Sequence, residues 1–98
     1  MPIEQITAND IERQRQEAVA ELEAESGPDW DNGFEPGTHG GHELLDRVSI
    51  VMELLESRVV DHPACLRDPA WYQQAEQAAE LLRELYQQIG AAQPDDDE

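Results

Sequence analysis

The feature that most constrains the fold is a stripe of apolar residues in the second half of the chain. Its members recur at alternating steps of four and three residues, the spacing that places side chains on one face of an α-helix. They are Trp71, Ala75, Ala78, Leu82, Leu85 and Ile89. Asp68 suits the N-cap, Pro69 suits the first helical position, and Gly90 is a natural stop. We therefore predict a helix over residues 69–89.

A second apolar stripe lies just before the first and predicts a partner helix over residues 42–60. Its spacing is again three and four residues, through Leu44, Val48, Val51, Leu55 and Val59, with Leu45, Met52 and Val60 beside them. Pro63 ends the segment, because the residue before a proline is driven out of the helical region. The connection to the next helix is short, so we expect the two helices to form an antiparallel hairpin.

The first quarter of the chain predicts a more polar helix over residues 7–25. Thr7 can cap it, and Asp10 three residues later completes a weak capping box. Its apolar stripe is thin and comprises Ile11, Ala18, Val19 and Leu22. Such a helix can dock only along a narrow edge. Residues 28–41 follow as a loop rich in glycine and proline, in which Trp30 and Phe34 are expected to pin the backbone.

These elements predict an all-α protein: an N-terminal helix, a glycine-rich loop and an antiparallel helical hairpin. We expect a single domain over residues 1–92 and a disordered acidic tail over residues 93–98. A chain of 98 residues leaves much apolar surface uncovered, so we also expect a homo-oligomer.

Charge narrows the classes of partner. Twenty-three acidic residues oppose six basic ones, all arginine, for a net charge of −17. This field repels phosphate backbones and anionic lipid, so we expect no direct binding to nucleic acid or membrane. Two partner classes remain: a basic protein surface, and a small anion in a pocket where arginines outweigh the field. The charge also suits a protein that only needs to stay soluble.

The compartment follows from what the sequence lacks. Cys65 is the only cysteine, so no disulfide can form within one chain. We see no signal peptide and no apolar run of the roughly 20 residues that span a bilayer. We therefore expect a cytoplasmic protein.

The densest candidate site lies at the expected start of the second helix. Glycines there leave backbone N–H groups free beside the positive end of the helix dipole, which favours a phosphate or another small anion. Thr38, His39, His42 and Arg47 stand in or near this segment and add donors. The alternative is that Thr38 or a glycine caps the helix while Arg47 forms a surface ion pair.

Metal sites are weaker interpretations. His39, His42, Glu43 and Asp46 resemble a zinc motif, but an aspartate replaces its second histidine. Glutamates that could bind magnesium, as in all-helical nucleotide pyrophosphatases, are Glu53, Glu56, Glu76, Glu80 and Glu84. They lie mostly opposite the apolar stripes, which favours a solvated face. We predict no metal, no cofactor and no catalytic residue, since no serine, cysteine or histidine has the surroundings of an activated nucleophile.

A second function class comes from the acids of the first helix and the loop. They are Glu12, Glu17, Glu21, Glu23, Glu25, Asp29 and Asp31. Carboxylates spaced like phosphates could occupy the basic groove of another protein, as DNA-mimic inhibitors of the anti-CRISPR type do. A plain solvated helix would carry the same pattern.

Residues 34–90 resemble small bacteriophage and prophage proteins. The resemblance rests on the block from Phe34 to Arg47, on His62-Pro63-Ala64, on the capped start at Asp68, and on Leu85-Tyr86-Gln87. The hairpin is similar to that of viral sponge proteins that counter CBASS and Thoeris immunity.

That resemblance implies a non-enzymatic oligomer in the cytoplasm of the host cell. It would sequester a cyclic nucleotide or an ADP-ribose-like signal in pockets between subunits. Arg47 would contact phosphate, while His42, Phe34 or Tyr86 would stack or donate hydrogen bonds.

Overall fold

The computed structural model describes residues 7–94, which are helical and contain no strand. The four α-helices of this part of the chain are α1 (Ala8–Ser26), α2 (His39–Leu54), α3 (Pro63–Leu66) and α4 (Pro69–Ala92). A π-helical segment, Leu55–Val60, continues α2. The all-α prediction is confirmed over these residues. Among them no helix combines the length and the apolar character that crossing a membrane requires.

Helix α1 begins with the capping box that the sequence predicted. The Thr7 side chain accepts a hydrogen bond from the Asp10 backbone N–H, and the Asp10 carboxylate accepts one from the Thr7 N–H. The helix ends at Gly27, whose φ of 88° is a conformation that favours glycine. Hydrogen bonds from Arg15 and Gln16 lower the pKa of the Glu12 carboxyl to about 2.

The described residues fall into two compact units, one ending at Asn32 and the other beginning at Gly33. The single domain expected over residues 1–92 stays a prediction. Helix α1 buries none of its residues. Its thin apolar stripe remains open, with Ile11 55% exposed and Leu22 42% exposed.

Helix α2 begins at His39, three residues earlier than the sequence predicted. Gly40 and Gly41, assigned to the loop by their composition, are instead buried in the first turn of the helix. The π-helical segment ends at Val60, and Asp61 follows it as the C-cap. The short helix α3 was not predicted; His62 caps it by accepting a hydrogen bond from the Ala64 N–H at 3.0 Å.

Helix α4 has the predicted start and a later end. The Asp68 carboxylate accepts hydrogen bonds from the N–H groups of Ala70 and Trp71. The helix continues through Gly90, since a glycine costs only about 1 kcal/mol within a helix and the next residues are alanines. It ends at Ala92.

The disordered acidic tail expected over residues 93–98 stays a prediction; its first residue, Gln93, forms two side-chain hydrogen bonds. The Gln93 side chain donates to the Ile89 carbonyl at 3.0 Å and accepts from the Gly37 N–H at 2.7 Å. These bonds hold Gln93 against α4 and against the loop before α2. Residues 95–98 lie outside the described part of the chain.

The unit that begins at Gly33 has a thin core. Helix α2 and its π-helical continuation pack on α4, and α3 packs on both α4 and the π-helical segment. The buried apolar residues of the described chain are Val48, Val60, Cys65 and Ala79. Large apolar side chains stay open beside them, among them Trp71 at 60% exposed and Leu81 at 66%. Packing of α2, α3 and α4 buries one side of the apolar stripe on α2 and on α4. The other side of each stripe stays exposed.

Candidate ligand-binding groove

The predicted anion site at the start of α2 is covered by the chain itself. The Gly40 N–H donates to the Gly33 carbonyl oxygen at 2.9 Å. A Cβ added at Gly41 would lie 2.6 Å from the Glu35 carbonyl oxygen, so that carbonyl sits directly over the turn. Carbonyl oxygens present their negative ends to the helix dipole, where an anion was expected to bind. The residues before α2 therefore take the place of the predicted phosphate.

The polar residues predicted for that site do not meet in one place. Thr38 is the N-cap, but its hydroxyl donates to the Glu35 carbonyl oxygen and makes no capping bond. Arg47 pairs with Glu43 at 2.9 Å while its side chain remains 71% exposed, which is the surface ion pair of the alternative interpretation. His39 and His42 are exposed. None of these four side chains lines either of the cavities described below.

The predicted aromatic residues are also apart from Arg47. Phe34 is 61% exposed, lies against Gly40, and lines the smaller of the two cavities. Tyr86 is 37% exposed and lines neither. The structure thus brings Phe34 to a cavity and does not assemble the six predicted ligand residues into one site.

We call the line along which α2 and its π-helical continuation pack on α4 the seam. A cavity of about 460 Å³ opens beside the seam, between the π-helical segment and α4. Most of its wall is apolar, and Trp71 stands at its edge with 60% of its surface exposed. Its lining residues are Leu55, Arg58, Val59, His62, Ala64, Cys65, Trp71, Gln74, Ala75 and Ala78. Binding sites for small molecules have this volume and this mixture of an apolar wall with a few polar groups.

Two polar side chains of this cavity, those of Arg58 and His62, can donate hydrogen bonds. The Arg58 guanidinium has no carboxylate within 4.0 Å among the described residues, unlike Arg47 and Arg83. The Nδ1 of His62 accepts the Ala64 N–H, so the proton of a neutral ring sits on Nε2, which can donate. In the described part of the chain, no aspartate or glutamate lines the cavity. In a chain of charge −17, this edge of the seam is therefore suited to an anion that carries an aromatic ring.

Comparisons with protein-family models, with curated proteins and with solved structures gave no match to this chain. The chemistry of the groove is therefore the basis for assigning a function.

Sequence reasoning missed the cavity residues because each had a simpler structural interpretation. Trp71 belonged to the apolar stripe of α4, and His62 preceded the proline that ends a helix. The available signal was the width of the two stripes, which is greater than a two-helix seam can cover. A tryptophan at the end of such a stripe has no opposing helix to bury it.

A smaller cavity of about 260 Å³ lies between the other ends of the same two helices. Its lining residues are Phe34, Pro36, Gly41, Leu44, Leu85, Gln88, Ile89, Ala92 and Gln93. Among residues 7–94, no acidic residue, histidine or arginine lines it. Its wall suits apolar contact.

The glutamates considered for magnesium gather around an arginine. Arg83 pairs with Glu56 of the π-helical segment at 2.5 Å, with Glu76 at 2.8 Å and with Glu80 at 2.9 Å. Of the five glutamates considered for magnesium, Glu53, Glu80 and Glu84 are exposed, as predicted for most of them, and Glu56 and Glu76 are half-buried. The hydrogen bonds that the Arg83 guanidinium donates to Glu80, Glu76 and Glu56 raise its pKa, so it stays charged. Within the described residues, no group of three or more histidine, cysteine or acidic side chains is placed to hold a metal ion.

Replacing Arg83 with glutamine is expected to lower the midpoint of urea unfolding, because three carboxylates then face one another without a cation. The Glu56→Gln change should cost less stability in the Arg83→Gln background than in the wild type, since the repulsion it relieves exists only there. A double-mutant cycle of unfolding curves measures this coupling. Equal effects of Glu56→Gln in both backgrounds would show that Arg83 and Glu56 do not interact.

Proposed function

We propose that this chain is a non-catalytic binding protein that sequesters a nucleotide-class anion in the 460 Å³ cavity. The observation that carries the proposal is that exposed Trp71, Arg58 and His62 line one cavity. Within residues 7–94, Arg58 has no acidic partner and no acidic residue lines the cavity. An aromatic base would stack on the Trp71 indole, while Arg58 and His62 Nε2 would donate to phosphate oxygens. Base stacking on an aromatic side chain contributes about 1–3 kcal/mol.

The resemblance to viral sponge proteins supports the same class of ligand, a cyclic nucleotide or an ADP-ribose-like immune signal. It also supports an antiparallel hairpin of α2 and α4 and a self-associating chain in the cytoplasm of a host cell. The proposal moves the binding site from the start of α2 and Arg47 to the other end of the seam. A groove that only binds would withhold a signal without cleaving it.

Isothermal titration with a panel of cyclic di- and trinucleotides and ADP-ribose tests the proposal. We expect at least one ligand to bind more tightly than about 100 micromolar, a free energy on the order of −5 kcal/mol. Trp71→Ala and Arg58→Gln should each weaken that ligand about tenfold, the equivalent of about 1.4 kcal/mol.

Arg47→Gln is the matched control, since it removes another exposed arginine, one that lines neither cavity. It should leave the affinity unchanged. Absence of binding across the panel at 100 micromolar would reject the proposed ligand class. Weaker binding in Arg47→Gln alone would return the site to the start of α2.

One observation favours the DNA-mimic inhibitor as a second candidate. In α1 the ion pairs are Arg13 with Asp10 and Arg15 with Glu12, both in the first half of the helix. The acids of its second half, Glu17, Glu21, Glu23 and Glu25, are exposed and have no arginine within 4.0 Å among the described residues. A run of unneutralised carboxylates suits the basic groove of another protein.

This candidate predicts association with a basic partner that weakens with salt and ignores nucleotides. Reversing the charge of Glu17, Glu21 and Glu25 should abolish it and leave the helical circular dichroism unchanged. Inhibition by that variant at the wild-type level would exclude α1 as the mimic.

A further inference from the structure

The two cavities lie along one face of α4. Four residues of α4 line the larger cavity, namely Trp71, Gln74, Ala75 and Ala78. Four residues line the smaller one, namely Leu85, Gln88, Ile89 and Ala92. Each residue of the second set stands fourteen positions after its counterpart in the first. Fourteen residues are close to four helical turns, so the two sets share a face.

The residues between the cavities continue this face. Seven positions after Trp71, Gln74 and Ala75 come Ala78, Leu81 and Leu82, so α4 carries a repeat of seven over its whole length. Leu81 at the centre is 66% exposed. On α2, Val51 stands seven positions after Leu44 of the smaller cavity and is 49% exposed. We call the two cavity linings together with Val51 and Leu81 the seam face.

The seam face carries no acidic residue, although acids make up 23 of the 98 residues. Acids placed on this face would repel a second copy of a chain with charge −17. Their exclusion allows two copies to approach here at the lowest electrostatic cost.

Size and pattern also fit a second copy. From Trp71 to Ala92, 21 residues at about 1.5 Å each give the face a length of about 30 Å. Two helices packed 8–10 Å apart give it a width of about 20 Å. The resulting area of roughly 600 Å² is close to the about 800 Å² per partner of a stable interface. Helices in bundles interdigitate through side chains that repeat every seven residues. The side chains of α4 that repeat in this way can therefore insert between those of a second copy.

We propose that two copies of this chain pair through their seam faces and form a four-helix bundle. The pairing centres on Val51 and Leu81, and the cavities at the two ends of the face become pockets that the second copy closes. An open wall leaves Trp71 60% exposed, so the ligand site is incomplete without the partner. The pairing itself does not depend on the proposed ligand.

Sedimentation equilibrium of the full chain without nucleotide tests this proposal. At about 100 micromolar protein we expect twice the monomer mass. Raising the sodium chloride concentration should strengthen the dimer, because screening reduces the repulsion between two chains of charge −17. Nucleotide binding would weaken with salt, so the two proposals respond in opposite directions.

Val51→Glu places a charge at the centre of the seam face and should give a monomer. Ile50→Glu is the matched control, because Ile50 is the next residue, is 50% exposed, and lies outside the seam face. It should remain a dimer, and both variants should keep the wild-type helical circular dichroism.

A monomeric wild-type chain at 100 micromolar would overturn the proposal and leave the face to a different protein. A Val51→Glu variant with the dimer mass would overturn the assigned surface, as would an Ile50→Glu variant that dissociates equally. Failure of the nucleotide titration with an intact dimer would affect only the proposed ligand.

Discussion

Replacing Gly40 with alanine is expected to destabilise the protein by about 1–3 kcal/mol, the cost of overpacking a filled site. In an ordinary helix the same change is stabilising, because alanine loses less backbone entropy than glycine on folding. Here the added Cβ would overlap Cδ1 of the Phe34 ring and lie 2.6 Å from the Gly33 carbonyl oxygen and 2.8 Å from Phe34 Cα. The backbone contacts cannot be relieved by a rotamer change. The loop before α2 would have to move and lose its hydrogen bond to the Gly40 N–H.

Gly90→Ala is the control for this prediction. Gly90 also lies in a helix, but a Cβ there would meet Leu45 Cδ1 at 3.9 Å, an ordinary van der Waals distance. We expect this variant to be stabilised by about 0.5–1 kcal/mol. Urea unfolding followed by circular dichroism gives both values. A stabilised Gly40→Ala variant would mean that residues 33–35 do not lie over the start of α2.

Replacing Ala79 with leucine is expected to lower the free energy of unfolding by about 1–3 kcal/mol or more. Ala79 is the most buried of the four apolar core residues, with 1% of its surface exposed. It lets α4 approach the neighbouring helix closely, and three extra carbon atoms at this point would force the helices apart. The thin core offers few other contacts to compensate.

Ala78→Leu is the matched control for this prediction, because it adds the same three carbon atoms at the neighbouring position. Ala78 is exposed and lines the 460 Å³ cavity, so the larger side chain extends into open space. Its stability should stay within about 0.5 kcal/mol of the wild type. The same variant should weaken nucleotide binding by filling the proposed site. Equal destabilisation of both variants in urea unfolding would show that the two alanines share one environment.

Much of the secondary structure could be predicted because its causes are local. The capping box at Thr7 and the Asp68-Pro69 start act within four residues, and the apolar period of α2 and α4 requires no knowledge of the fold. The errors were at element ends. Gly40 was assigned to a loop from its composition, yet the close approach of Phe34 is what requires a glycine there.

The candidate site could be predicted only in part. The glycine-rich segment and Arg47 were favoured because an open helix start attracts anions, but the carbonyl oxygens of Gly33 and Glu35 occupy that start. Phe34, one of the predicted ligand residues, lines the smaller cavity. The larger cavity depends on residues from the π-helical segment, α3 and α4, and their meeting is a property of how the helices pack.

By itself, then, the sequence determined that this protein is helical, that its acids dominate its charge, and that two of its helices carry more apolar surface than one seam can bury. Each of these follows from residue type and spacing along the chain. Tertiary structure decided which part of that surface is covered, which arginine is enclosed by glutamates and which one, Arg58, faces a cavity. Those choices depend on contacts between residues far apart in the chain, and helical periodicity specifies a face without specifying what lies against it.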